Sequence, residues 1–580
     1  MTKRIIGLLL CVSIIISCFV FGAVHSSAAE SSKQQTGADY GLPSDINDGN
    51  ILHCFNWKYN DIKNSLKSIA EAGFKAVQTS PAQQPDTDGK WYWLYMPKGF
   101  YVGSSNLGNK NELKALCTEA KKYGINVIVD VVANHLTGDH SKIQSDLKDG
   151  KYWHNKGKVS DWNNRTQVTQ CNIGDYGDLK TEDSYVQSVV KKYLNELKSI
   201  GVSGFRFDAA KHIATPAEGD SFFKTMKDVG LYSYGEILDN PGGNGAEVLK
   251  EYTKYIKVND CNYSGECTGG MRDGKVVTNA GHWSKKGVDS TKLIYWGESH
   301  DTFSNNQNDG GWTKYLNQNV IDRSYAIQAC RGDAQALYLS RPSATDRENI
   351  YAGSKGSTHF TSKEVAAVNH FKNALVGREQ SYTTGDGCDV VCRQGGAVVV
   401  SANGKGGTKT VPNSDGLVLP GTYTDEVTGN KWTVTKTTIT GNLGSTGIAV
   451  FYSTDPYVEP TEPTTQPPTT TAPTNPPTQP QTETTTAPPT QTVTEPPTEA
   501  FDGIFGDANE DETVSIKDAT LIQKHIAALE TLSERAELLA DVNENDRIDI
   551  KDATCVQKYL AKMVGYGLVG MTYTQYMSVP

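Results

Sequence analysis

Four short segments carry acidic side chains at or near the ends of apolar runs. They are Asp130-Val131-Val132-Ala133-Asn134-His135, Gly204-Phe205-Arg206-Phe207-Asp208-Ala209-Ala210-Lys211-His212, Tyr234-Gly235-Glu236-Ile237 and Trp296-Gly297-Glu298-Ser299-His300-Asp301. A carboxylate can attack an electrophilic carbon or stabilise a cation, and a carboxylic acid can deliver a proton. Taken singly, each segment has a bland reading, since a buried Asp at a strand end often caps a turn and a lone His often packs in a core. Four such segments in chain order, at the spacing of successive strands, favour convergence on one site.

Strand ends need alternating elements to carry them, and the sequence supplies these. Ile62, Leu66 and Ile69 recur at helical spacing before Gly73, and residues 74–77 read as a strand. Leu113, Leu116, Cys117 and Ala120 form a second stripe, closed by Gly124 and followed by the apolar run 127–132, which suits a strand buried on both faces. Val186, Val189, Val190, Tyr193 and Leu197 repeat the pattern before Gly201, and a strand is expected at residues 204–207. Arg206 and Asp208 then face the same side, two residues apart. Helix-then-strand repetition over residues 51–357 implies an α/β fold with a parallel sheet, closed into a barrel or left open.

Residues 136–178 break the alternation with a polar stretch too long for an ordinary loop, read as an inserted subdomain. A helix-like segment and then short Val- and Thr-rich runs over residues 361–452 predict an all-β sandwich. Residues 456–497 are almost entirely Thr, Pro, Gln and Glu, the composition of an extended linker. After it comes an internal repeat, in which residues 507–518 match residues 541–552 and Ala-Thr follows both. Helices are expected at 519–529 and 553–563.

A chain of 580 residues divides into several domains, and its net charge of −10 disfavours nucleic acid as a partner. No stretch after the N-terminus is long and apolar enough to span a membrane. Lys3 and Arg4 precede an apolar run at residues 5–20, with small residues at 26–29, the pattern of an export signal cleaved near Ala28 or Ala29. Lipid attachment at Cys18 is the alternative. Cys261 with Cys267, and Cys388 with Cys392, are close enough in sequence to pair, but the spacing decides nothing.

The four segments resemble the conserved regions of glycoside hydrolase family 13, the α-amylase family, and the resemblance extends over residues 51–452. Residues 51–57, 78–81 and 91–95 resemble the bacillary saccharifying amylases in particular. The resemblance implies a TIM (β/α)8 barrel, an inserted domain B and a C-terminal β-domain. It implies secretion and retaining hydrolysis of internal α-1,4 bonds in starch, with Asp208 as nucleophile, Glu236 as acid/base and Asp301 as a transition-state ligand. The acid must begin protonated near neutral pH, which neighbouring anions and a dry pocket favour, whereas Arg206 can hold the nucleophile ionised. His135 and His300 resemble ligands of the first sugar, Lys211 and His212 flank the next, and Tyr92 resembles the platform beneath the distorted sugar. The other readings kept open are a maltogenic or transglycosylating relative and a catalytically silent glucan-binding component.

By the same resemblance, Asn134 and Asp178, with backbone carbonyls near Thr169 and His212, would hold one structural calcium ion. Ser299 stands where chloride-dependent relatives carry Asn, so chloride is not expected. The tail repeat resembles a dockerin with two calcium loops, Asp507, Asn509, Asp511, Ser515 and Asp518, then Asp541, Asn543, Asn545, Asp549 and Asp552. Glu512 and Asp546 replace the usual glycine of each turn. A dockerin implies a cohesin partner on a scaffold, and the near identity of Ile516-Lys517 with Gln523-Lys524 to Ile550-Lys551 with Gln557-Lys558 implies docking in two orientations. The expected partition is a signal peptide at 1–29, the catalytic barrel at 30–357 with an insertion at 136–178, a β-sandwich at 358–454, a linker at 455–500, a dockerin at 501–566 and a tail at 567–580.

Overall fold

The computed structural model describes residues 36–238, 240–277, 281–454, 503–527, 529–543, 548–562 and 567–572. The expected signal peptide, the alternative lipid site at Cys18, the linker and the loop residue Asn545 lie outside the described residues. Among the described residues, no helix is long and apolar enough to cross a membrane. The chain divides into two compact units, Met1–Pro463 and Thr464–Pro580.

The first unit is built on eight parallel strands: β1 (Ile51–Cys54), β2 (Ala76–Thr79), β3 (Asn126–Val132), β4 (Gly204–Asp208), β5 (Tyr232–Gly235), β6 (Lys257–Asn259), β7 (Leu293–Trp296) and β8 (Gln335–Leu339). Each pairs with the next, and β8 pairs with β1, so the sheet closes into a barrel. Strand periodicity sorts the side chains. Ile51, Ala76, Ile128, Tyr234, Ile294 and Leu337 form one apolar cluster inside the barrel. Leu52, Val77, Val127, Phe205, Phe207 and Val258 join the larger core shared with the outer helices. On β4 this parity turns Arg206 and Asp208 toward the barrel axis, away from Phe205 and Phe207.

The outer helices bury the stripes read from sequence. Helix α1 (Tyr59–Glu71) buries Ile62, Leu66 and Ile69, and α2 (Lys110–Lys122) buries Leu113, Leu116, Cys117 and Ala120 behind an Asn109–Glu112 capping box. Gly73 ends α1 at φ +76, where a Cβ would stand 2.8 Å from that of Asn369. The strand expected at 74–77 begins two residues later, because the Lys75 and Ala76 amides both bond to Asn50 O and Ala76 pairs with Ile51.

Between β3 and the long helix Ser184–Ser199, the polar insertion folds into short helices, among them α3 (Arg165–Gln170). It rests on a hairpin of Gln83–Pro85 and Pro97–Val102 that the sequence reading did not anticipate. Gln83 holds both backbone groups of Val132 at the end of β3, at 2.9 and 3.0 Å, and Thr137 N bonds to Pro97 O at 2.8 Å. After the barrel, two four-stranded antiparallel sheets enclose a core with Trp432 stacked on Phe451 at 5.3 Å. This is the expected all-β region.

All nine described cysteines are buried thiols. Cys388 and Cys392 lie on one strand, Cys388–Arg393, about 13 Å apart along it. Cys261 and Cys267 lie on one helix, Cys261–Asp273, about 9 Å apart along its axis. Both separations exceed what a disulfide spans.

The second unit packs the helices Ile516–Ile526 and Ile550–Leu560 through Ala519, Ile522, Ala553 and Val556, with Glu534–Ala540 between them in the chain. Both long helices start three residues earlier than expected, because Ser515 and Asp549 act as N-caps in capping boxes with Asp518 and Asp552.

Candidate active site

The four acidic segments meet at the C-terminal rim of the barrel, around a cavity of about 370 Å³. Asp208, Glu236 and Asp301 line it, as do Tyr92, His135, Lys211, His212 and His300. Arg206 lies beneath, 3% exposed. The structure therefore brings together every catalytic and sugar-binding residue expected from sequence.

The expectation tied Arg206 to Asp208 alone, but its guanidinium serves three carboxyl groups. Nη1 donates to Asp208 Oδ1 at 2.8 Å and to Asp130 Oδ2 at 2.7 Å, and Nη2 stands 2.6 Å from Glu236 Oε1. Asp130 is fully buried and also accepts from Tyr95 OH at 3.1 Å. The turn after β4 adds a backbone donor. Ala209 sits in the left-handed region at φ +50, a costly conformation for a residue with a Cβ, and its N–H reaches Glu236 Oε2 at 2.9 Å. Asn305 Nδ2 donates to Asp301 Oδ1 at 3.1 Å, and Arg347 Nη1 donates to Asn305 Oδ1.

One cation faces four acids in a buried space, so burial and mutual repulsion both work against ionising all of them at once. Burial pushes the Asp208 carboxyl well above the usual carboxylate range; Arg206 opposes this, while Glu236, Asp130 and Asp301 reinforce it. Asp130 is pushed up to about 6, chiefly by burial, and Asp301 is also raised by burial. The expected role of Arg206 is to favour ionised Asp208, and the guanidinium acts in that direction, against burial and the three neighbouring acids.

The histidines are neutral for the same reason. Burial pushes His135 down to about 4, and His300 and His212 down to about 3. His212 donates from Nδ1 to Val168 O at 2.7 Å, and His135 Nε2 bonds to Tyr95 O at 3.1 Å. His300 stacks on Tyr95 at 5.3 Å and meets His53 edge-on. Neutral, fixed imidazoles suit sugar hydroxyls, which both give and accept hydrogen bonds.

Beside this pocket, Leu179 N bonds to Asn134 O at 3.0 Å, and His135 bridges to Asp178 across antiparallel backbone. Asn134 Oδ1 and Asp178 Oδ1 are buried with no protein partner. Hard oxygens stranded in this way fit a cation bound by an amide, a carboxylate and backbone carbonyls. The His212–Val168 bond holds the α3 carbonyls near Thr169 to the same region. The other Asp178 oxygen contacts His154 Nδ1 at 2.5 Å. Among the described residues, no three His, Cys, Asp or Glu side chains cluster as a metal site.

In the second unit, the first repeat loop curls around its own acids. Asp507 accepts from the amides of Asp511 and Glu512, and Asp518 from those of Asn509 and Ser515. Glu512, at the position usually held by glycine, adopts φ +63, the strain expected from its side chain. In the second loop, Asp552 accepts from the amides of Val542, Asn543 and Asp549, and Asp549 accepts from Lys551 N. Asp541 begins the loop as the C-cap of Glu534–Ala540.

Asp130 has no role among those expected, although a charge inside the apolar run 127–132 is itself a signal for one. Tyr95, Asn305, Arg347 and Trp162 also line the cavity. Tyr95 closes the 91–95 segment already noted for its resemblance, whereas Asn305, Arg347 and Trp162 come from separate segments that no local pattern marks.

Comparison with known proteins matches residues 56–322 to the α-amylase catalytic domain and residues 505–561 to the dockerin type I domain. An α-amylase of Clostridium acetobutylicum is 32% identical over 474 residues, which cover 77% of this chain and 59% of that protein. One of Butyrivibrio fibrisolvens is 28% identical over 471 residues, which cover 70% of this chain and 47% of that protein. The chain thus spans about half to three-fifths of these relatives. Among solved structures, wild-type α-amylase I of Eisenia fetida aligns with a TM-score of 0.59 at 20% identity, over 71% of this chain and 97% of that one, a likeness of fold. Residues 56–322 are therefore a domain of the α-amylase catalytic family, and residues 505–561 are a type I dockerin domain.

Proposed function

We propose that the chain is a secreted α-amylase that cleaves internal α-1,4-glucosidic bonds of starch with retention and is attached to a scaffold through its dockerin. The observation that carries this reading is the fork of Arg206, which holds Asp208 and Glu236 side by side in the cavity that Asp301 also lines. Asp208 attacks the anomeric carbon as the glycosidic C–O bond breaks, and Glu236 gives its proton to the departing oxygen. Glu236 then takes a proton from water, which attacks the same carbon and releases Asp208. Each attack inverts the centre, so the product keeps the α configuration. Asp301, His135 and His300 hold hydroxyls of the reacting sugar, and Tyr92 lies beneath it.

The test is digestion of soluble starch followed by proton NMR. Short oligosaccharides released first as α anomers are expected. Predominant transfer products would favour the transglycosylating alternative, β anomers would remove the retaining mechanism, and no product would favour a silent binding component.

Asn134 and Asp178 would hold the calcium ion, which would supply a fixed positive charge between the end of β3 and the insertion. Chelation is therefore expected to lower the thermal midpoint, reversibly on adding calcium. At a hundredfold excess over Kd the ion contributes about 2.7 kcal/mol. Asp178→Asn should lose most of this calcium-dependent shift, and an equal shift in variant and wild type would place the ion elsewhere.

For the second unit we propose a cohesin partner and one calcium ion in each repeat loop. Ile516 and Ile550 are 59% and 57% exposed at matching starts of the two helices, which supports docking in either orientation. Lys517→Glu or Lys551→Glu singly should leave docking nearly intact in a calorimetric titration, and the double substitution should abolish it. Loss with one single substitution contradicts the two-orientation reading.

A further inference from the structure

Glu298 belongs to the fourth acidic segment, but it does not line the cavity that Asp301 lines. Its carboxyl, just past the end of β7, is fully buried. A carboxylate in such a place needs a matched partner. Arg341, just past the end of β8, supplies a two-pronged one. Nε donates to Glu298 Oε1 at 2.5 Å and Nη2 to Oε2 at 3.1 Å. Such a fork fixes direction as well as charge.

The same guanidinium grips a loop. Nη1 donates to Leu316 O at 3.1 Å and Nη2 to Thr313 O at 3.3 Å. That loop in turn holds the short helix His300–Ser304, which carries Asp301. Trp312 N bonds to Thr302 O at 2.8 Å, and Thr313 Oγ1 donates to Thr302 Oγ1 at 3.1 Å. Lys314 Nζ donates to Asn305 O at 2.6 Å, and Asn305 Nδ2 donates to Asp301 Oδ1 at 3.1 Å. A helix of five residues has little stability of its own, so tertiary contacts of this kind must set its direction.

We infer that Glu298 and Arg341 are positioning residues for the reaction: their ion pair pins the loop at residues 312–316 and through it aims the carboxyl of Asp301. The inference rests on the proposed role of Asp301. Neither Glu298 nor Arg341 touches the sugar. A misdirected Asp301 loses hydrogen bonds that strengthen as the sugar becomes cation-like, so the loss falls on bond cleavage more than on ground-state binding.

The test is a double-mutant cycle on α-maltotriosyl fluoride, whose fluoride leaves without a proton, so that kcat/KM reports glycosyl transfer to the enzyme without the acid. Glu298→Gln keeps the side-chain shape and should lower kcat/KM about tenfold, on the scale by which sub-ångström misplacement slows a reaction. In an Asp301→Ala background the same substitution should cost less than about twofold, because no carboxyl is left to aim. Lys314→Met cuts the path at the loop and leaves the buried ion pair whole, so it should give the same pattern with a smaller loss. Equal losses in both backgrounds would overturn the inference, since the pair would then serve the barrel as a whole. No loss in either single variant would overturn it as well. If Glu298→Gln does not fold, Lys314→Met decides by the same two criteria. Asp301→Ala alone within tenfold of wild type would refute the role of Asp301, and the inference with it.

Discussion

Asp208→Asn is expected to lower kcat on soluble starch by at least about a thousandfold while leaving the fold intact. The amide matches the carboxylate in shape and still faces the guanidinium of Arg206, but it cannot form the glycosyl ester. Asp208 and Arg206 share the inward side of β4, and the turn that follows is locked by Ala209 N donating to Glu236, so the exchange disturbs no neighbouring backbone contact. Binding of maltoheptaose by the variant, measured by calorimetry, should persist. Activity within tenfold of wild type would mean that another group is the nucleophile.

Arg206→Leu is expected to cost about 3–5 kcal/mol of stability as well as activity, the usual loss when one partner of a buried charge cluster is removed. Asp130, Asp208 and Glu236 would face one another with no cation between them. The pH dependence has a definite sign. Asp130, pushed up to about 6 even with Arg206 present, binds more protons folded than unfolded between pH 3.8 and 6. Folded stability from this group therefore falls as pH rises through that window, and removing Arg206 moves the window upward. The deficit of the variant relative to wild type in chemical denaturation should shrink from pH 7 to pH 5. A deficit that stays constant or grows would show that Arg206 does not act by compensating these carboxyls.

The barrel and the acids at its rim were legible because strand and helix periods are local. Two-residue alternation put Arg206 and Asp208 on one face, and three- to four-residue stripes marked α1 and α2. What the sequence left open arises from distance. Closure required β8 to pair with β1, which no segment records by itself. The hairpin of residues 83–102 fixes the end of β3 through Gln83, a residue with no visible pattern around it. Arg347 reaches Asp301 through Asn305, across separate loops. The sharing of Arg206 among three acids was likewise invisible, because Asp130 comes from the neighbouring strand and only the parallel register of β3 and β4 sets the two opposite each other. The cysteine spacings were ambiguous until secondary structure showed that a single strand and a single helix keep each pair apart.

The division of labour between Asp208 and Glu236 can be read directly by trapping. In Glu236→Gln, a 5-fluoro-α-maltosyl fluoride can still load the nucleophile, since fluoride leaves without a proton, but water attack lacks its base. Mass spectrometry of the digested protein should then find the sugar esterified to the peptide that carries Asp208. A label on a different carboxylate, or steady release of fluoride with no adduct at any time, would contradict the assignment of Asp208 as the nucleophile.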